Sequence, residues 1–264
     1  MQRTGLLLIV LACVLATAPA REGASPAHVS RAKVGLVLIA NTQEGFALAA
    51  DGSSLNADGR VSQEQKLFPV GSHGAVALTG TVAIQDPIGG SVRSEVNVAR
   101  IVSSWVAAHP DAELETANRE LNAEIAKALN QFLSTRDPGA QRGIFKFGVI
   151  AAGFANGKPV LMTTRYFMPS VKGKPPRTEQ ASSLVQAGDL WVFGNSSAVG
   201  NGIKGGLSAK SAAQDYISFF DSVLKAAESE KGRKVDGKRA IVAPPNRFAS
   251  ITPNGFAWSQ EAAK

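Results

Sequence analysis

The sequence predicts an α+β fold, with two antiparallel sheets stacked face to face and helices over their outer sides. Three observations carry the prediction. Short apolar runs separated by Gly-, Asn- and Pro-bearing turns occupy the early part of the chain and return after residue 143, as β-hairpins do. Between them the apolar spacing changes to three and four, the signature of helices with one buried face. The resulting order is strands, two helices, strands, helix, hairpin. Helices grouped between hairpins in this way argue against a parallel sheet built from alternating strands and helices.

Taken in order, residues 1–20 read as a secretory signal. Arg3 supplies the positive start, Gly5 to Ala16 is an apolar stretch too short to span a bilayer, and Ala18-Pro19-Ala20 fits a small-residue cleavage site. The expected location is therefore secreted or periplasmic, with no membrane association after signal removal. Lipoprotein anchoring through Cys13, which follows Val10-Leu11-Ala12, is the competing reading. Residues 21–33, small and polar with a proline, read as a linker or short propeptide. Residues 34–264 are expected to form a single domain, because no shift in composition divides them.

Within that domain, Val34 to Ala40 and Phe46 to Ala50 read as strands around a hairpin loop at 41–45. Leu67 to Val70 and Ala75 to Leu78 form the next pair, and Pro69 places the former at a sheet edge or a bulge. A helix near 94–108 carries Val98, Ile101, Val102 and Trp105 on one face. A second, near 112–134, carries Leu121, Ile125, Leu129 and Phe132, with Asp111 as its N-cap. Strands from Ile144 to Phe154 and from Pro159 to Phe167 meet at Asn156-Gly157, a strong hairpin signal. Residues 169–182, rich in Pro and Lys, read as an exposed loop, and Leu190 to Phe193 as a short strand. A third helix near 209–229 carries Tyr216, Ile217, Phe220 and Leu224, and a hairpin turning at Pro253-Asn254-Gly255 closes the chain.

Composition excludes several function classes. The formal charge is +7, but Lys and Arg are scattered and aromatics make up only 6%, which fits a solvated basic surface rather than a nucleic-acid face. Cys13 is the only cysteine and lies in the expected signal, so the mature chain would carry neither a disulfide nor thiol chemistry. Metal-ligand spacings, a P-loop, G-x-S-x-G and H-E-x-x-H are all missing, so no metal or cofactor is expected. Ser30-Arg31-Ala32-Lys33 fits the S-x-x-K of penicillin-binding proteins. A strand rather than a helix follows it, however, and no S-D-N or K-T-G accompanies it.

The densest signal runs from Gly45 to Thr81. Ala49-Ala50-Asp51 ends one strand, Lys66-Leu67-Phe68 opens the next, and Leu78-Thr79-Gly80 ends a third. An acid at one strand end and a lysine at the next strand's start can converge in a sheet. Burying such a pair is costly unless its geometry is good or chemistry uses it. With Val34 to Ala40 before them, these motifs resemble the start of a proteasome-type subunit of the N-terminal nucleophile hydrolase superfamily, in a divergent, exported, bacterial-type form.

The resemblance implies a four-layer αββα sandwich over roughly Val34 to Trp258, though its motifs cover only the first fifth of that span. It also implies hydrolysis of a peptide or amide substrate if the protein is active. In that chemistry an N-terminal hydroxyl residue attacks the amide and its own α-amine, titrating near ~8, serves as base. The resemblance places Lys66 and Asp51 beside the nucleophile. Aligning Val34-Gly35 with the family's early strand puts Arg31 at the nucleophile's position, which leaves Ser30 as the candidate hydroxyl after cleavage behind Val29. Asn195, within Gly194-Asn195-Ser196-Ser197, falls where the family has a supporting serine. Asp236 is by order the nearest candidate for a third acid.

Two functions remain open. One is an amide hydrolase with an atypical nucleophile; the other is a catalytically inactive scaffold or binding protein, since the family it resembles includes inactive ring subunits. Self-association is compatible with both. Simpler readings exist for single residues: Asp51-Gly52 as a turn cap with Lys66 as its surface partner, and His73 as a turn histidine.

Overall fold

The computed structural model describes residues 28–31, 35–55, 61–85, 95–135, 145–194, 207, 210–229, 242 and 244–259. The chain first forms β1 (His28–Arg31), β2 (Leu36–Asn41), β3 (Phe46–Ala50), β4 (Ser53–Leu55), β5 (Val61–Gln63), β6 (Leu67–Val70), β7 (Gly74–Gly80), β8 (Ala83–Gln85) and β9 (Glu95–Asn97). Helices α1 (Val98–Ala108) and α2 (Leu114–Thr135) follow. Next come β10 (Phe145–Ala155), β11 (Lys158–Phe167), β12 (Arg177–Leu184) and β13 (Leu190–Gly194), then α3 (Ala213–Glu228), β14 (Arg247–Thr252) and β15 (Gly255–Ser259).

The strands make a six-stranded sheet, ordered β1-β13-β2-β3-β14-β15, and a five-stranded sheet, ordered β12-β11-β10-β7-β6. Every pairing in these two sheets is antiparallel except that of β1 with β13. Two small ribbons, β4–β5 and β8–β9, complete the described strands.

Alternation along each strand explains the layering, because successive side chains point to opposite faces. Val37, Ile39, Phe46, Leu48, Ala75, Ala77 and Ile150 meet in the cluster between the sheets. Their neighbours point outward. Leu36, Leu38, Ala47 and Ala49 pack on Tyr216, Phe220 and Leu224 of α3, while Val76, Leu78, Phe147 and Val149 pack under Val102, Leu121 and Ile125 of α1 and α2. Three apolar clusters thus separate four layers: α1 and α2, the five-stranded sheet, the six-stranded sheet, and α3. This is the α+β sandwich of two sheets flanked by helices that the sequence predicts. It also explains why β2, β3 and β7 read as continuous apolar runs, since each is covered on both faces.

Several local features match their chemistry. Pro69 lies in β6, at the edge of its sheet. Asn156 and Gly157 both have positive φ, 51° and 72°, as a two-residue hairpin of primed type requires. Other elements differ from expectation. Asp111 precedes α2 by a turn in which the Ala112 N–H donates to the His109 carbonyl at 3.2 Å, so it does not cap the helix. Residues 177–182 of the expected loop instead belong to β12 (Arg177–Leu184), an edge strand paired to β11. Residues 28–31, within the expected linker, form β1.

Candidate functional site

The strongest polar feature of the interior joins the two sheets. Asp51 leaves the end of β3, and its backbone N–H still bonds the Leu36 carbonyl of β2 at 3.0 Å. Its side chain continues that ladder. Oδ1 accepts the Leu36 N–H at 2.8 Å, and Oδ2 accepts both the Ser53 N–H at 3.3 Å and the Ser53 hydroxyl. Lys66 stands just before β6 in the other sheet, fixed by the Leu78 N–H donating to its carbonyl at 2.8 Å. Its Nζ reaches Oδ1 of Asp51 at 3.1 Å, and both side chains have 0% exposure. A carboxylate with this many donors is well compensated, which is the condition under which a buried ion pair persists.

The pair faces the backbone of Gly35. A Cβ built there would lie 2.5 Å from Lys66 Nζ, 3.3 Å from Asp51 Oδ1 and 3.6 Å from the Gly80 backbone nitrogen. Gly35 has φ +74°, and the ammonium sits in the space that a side chain would take. Gly194 closes the other side: with φ +102°, any Cβ on it would strike the Gly35 carbonyl and come within 2.8 Å of Thr79 Oγ1. Thr79 is buried, and its hydroxyl has no hydrogen-bond partner among the described residues. The site is therefore a closed inter-sheet contact of Asp51, Lys66 and three backbone-exposing glycines.

Of the residues singled out from sequence, the structure brings Asp51 and Lys66 together. Ser30 lies in β1 opposite Phe193, and Arg31 lies opposite Gly194. Because β13 runs between β1 and β2, the Ser30 backbone is two strand spacings, roughly 10 Å, from β2. Asn195 and Asp236 lie outside the described residues, as does the expected signal at 1–20. His73 is exposed in the β6–β7 turn, with Nδ1 2.6 Å from Ser72 Oγ and Nε2 3.0 Å from the Pro253 carbonyl. It ties that turn to the last hairpin. Gly35, Thr79, Gly80 and Gly194 were not singled out as parts of the site. Thr79, Gly80 and Gly194 stood in quoted motifs without a role assigned to them, and Gly35 carried the signal of a glycine at the mouth of a strand, which often marks a close backbone approach.

Two antiparallel sheets flanked by helices, joined by the cross-sheet Asp51–Lys66 contact, are the frame in which this site stands. No protein-family model matches the chain, and no curated protein matches it. Solved structures do. Anbu, described as an ancestral β-subunit, from Yersinia bercovieri is 12% identical with a TM-score of 0.52, over 86% of this chain and 88% of that one. The Anbu complex from Pseudomonas aeruginosa, solved as a helical assembly, is 11% identical with a TM-score of 0.57, over 86% and 88%. An Anbu Gly-1 mutant from Hyphomicrobium sp. strain MC1 is 13% identical with a TM-score of 0.50, over 87% and 88%.

These likenesses are of fold alone, and they correct the expected place of this chain as a divergent member of the proteasome-type subunit family. The physical reason lies in what the matching motifs do. Ala49-Ala50-Asp51, Lys66-Leu67-Phe68 and Leu78-Thr79-Gly80 supply buried strand residues and the cross-sheet ion pair. They stabilise a sandwich whether or not a nucleophile stands beside them.

Proposed function

We propose that this chain is an exported, non-hydrolytic protein of proteasome-like fold that acts as a self-associating scaffold or binding protein. The observation that carries the reading is Gly35. Nucleophilic attack requires a hydroxyl next to its activating groups. The backbone position that faces Lys66 Nζ and Asp51 has no side chain, and the ammonium fills the space instead. The buried pair then serves as a pin between the sheets. Export is supported by the signal character of residues 1–20, and self-association by the assembled state of a fold neighbour.

A second reading, hydrolysis of a peptide or amide substrate by Ser30, is favoured by one observation: the end of β1 lies in register with Gly194, which touches Gly35. It requires cleavage after Val29 and a rearrangement that brings β1 to the ion pair. The test is to assay forms beginning at Arg21 and at Ser30 against a panel of peptides and acyl amides. Neither form is expected to turn over substrate. Turnover by the Ser30 form, lost in both Ser30→Ala and Lys66→Ala, would replace this reading with the hydrolase.

A further inference from the structure

Two surface features of this chain are complementary in charge and polarity. The first is a groove of about 1160 Å³ between α1 and α2. Its floor is apolar, with Ile101, Trp105, Ala128 and Phe132. Its rim carries Glu95, Glu120 and Glu124 against a single arginine, Arg100. Glu120 and Glu124 pair with Arg119 at 3.4 Å and Lys127 at 3.9 Å, but at the surface such pairs hold their charges only weakly.

The second is the turn that joins β11 to β12. The Lys174 N–H donates to the Val171 carbonyl at 3.3 Å, and Gly173 takes φ +74°, so residues 171–174 form a compact turn. Val171 is 55% exposed, one of only two large exposed hydrophobic side chains among the described residues. Lys172 and Lys174 flank it, both exposed, with no ion pair among the described residues. The nearby Arg165 and Arg177 share Glu179, and Arg177 also lies over the Phe167 ring at 4.1 Å. These contacts brace the hairpin beneath a basic turn that opens on the exposed apolar Val171.

We infer that the β11–β12 turn of one copy inserts into the α1–α2 groove of a second copy, Val171 against the apolar floor and Lys172 and Lys174 against Glu120 and Glu124. The inference rests on the self-association part of the proposed function and names its surfaces. A chain of net charge +7 repels its own copies, so association needs a local match of this kind. Because the two surfaces differ, the contact is head-to-tail, and such contacts propagate into rings or open helices rather than stopping at a dimer.

The test is sedimentation of the full chain over a range of concentrations and salt, with charge-reversal variants. The wild type is expected to assemble with rising concentration and to weaken as salt screens the contact. Lys172→Glu with Lys174→Glu, and separately Glu120→Lys with Glu124→Lys, are each expected to weaken assembly at least tenfold. An equimolar mixture of the two variants is expected to restore it, since each reversed surface then meets its complement. Variants that assemble like the wild type, or a mixture that fails to recover, would overturn the assignment of these surfaces while leaving self-association standing. A wild type that stays monomeric at every concentration would remove self-association itself, and this contact with it.

Discussion

Lys66 and Asp51 are buried together from opposite sheets, so each is held by the other's charge. Lys66→Ala is expected to lower stability by about 3–5 kcal/mol in urea unfolding, because it strands a buried carboxylate. Gly35→Ala is expected to destabilise through both its positive φ and its contact with the ammonium. In the Lys66→Ala background the contact with the ammonium should vanish, leaving the backbone strain and the closer fit to Asp51, and a double-mutant cycle reads the difference. Tyr166 gives a second residue-scale prediction. Its hydroxyl donates to Asn122 Oδ1 at 2.6 Å, and burial pushes its pKa up. The unfolded tyrosine loses its proton near pH 10 while the folded one keeps it, so Tyr166 costs stability as pH rises above about 10. Tyr166→Phe is therefore expected to cost about 1–2 kcal/mol at neutral pH through the lost hydrogen bond, and to narrow that gap in alkali. Lys146, whose pKa burial lowers, acts with the opposite sign in both proteins, so it is the difference between them that tests the tyrosine. At this scale the ion pair was legible, since a strand-end acid and a strand-start lysine are local features. Gly35 was not, because its meaning arises only when a lysine from the other sheet arrives beside it.

Elements were legible where their burial is one-sided or their turns are chemically marked. The helices carrying Val102, Trp105, Leu121 and Phe220 are amphipathic, and Asn156-Gly157 forces a hairpin. β12 was hidden because its residues are polar and exposed, so neither period nor hydrophobicity marks it; only pairing with β11 makes it a strand. β1 was hidden too: its four residues follow a small, polar stretch, and it pairs with β13. The ribbons β4–β5 and β8–β9, three residues to a strand, are too short to show any period. β1 also carries a prediction. It covers one edge of β13, so a chain beginning at residue 32 leaves β13 as the sheet edge. Such a chain is expected to unfold at lower denaturant with its helical circular dichroism unchanged, and to aggregate more readily. Equal stability and solubility of the two forms would show that β1 contributes nothing to the sheet.

At the scale of the whole molecule, three apolar clusters and the buried Asp51–Lys66 pair specify the sandwich, and the backbone position that faces the pair is a glycine. Fold and chemistry are separable here, because the inter-sheet apolar cluster and the pair hold the sheets together whether or not a reaction uses the pair. The most direct test of this claim is intact-mass analysis of the full chain and of the form beginning at Ser30, each after exposure to a broad hydroxyl-directed electrophile such as a fluorophosphonate, with amide hydrolysis followed in parallel. The account predicts an unchanged mass and no turnover in either form. A single stoichiometric adduct mapping to residues 28–35, accompanied by turnover that Lys66→Ala abolishes, would contradict it.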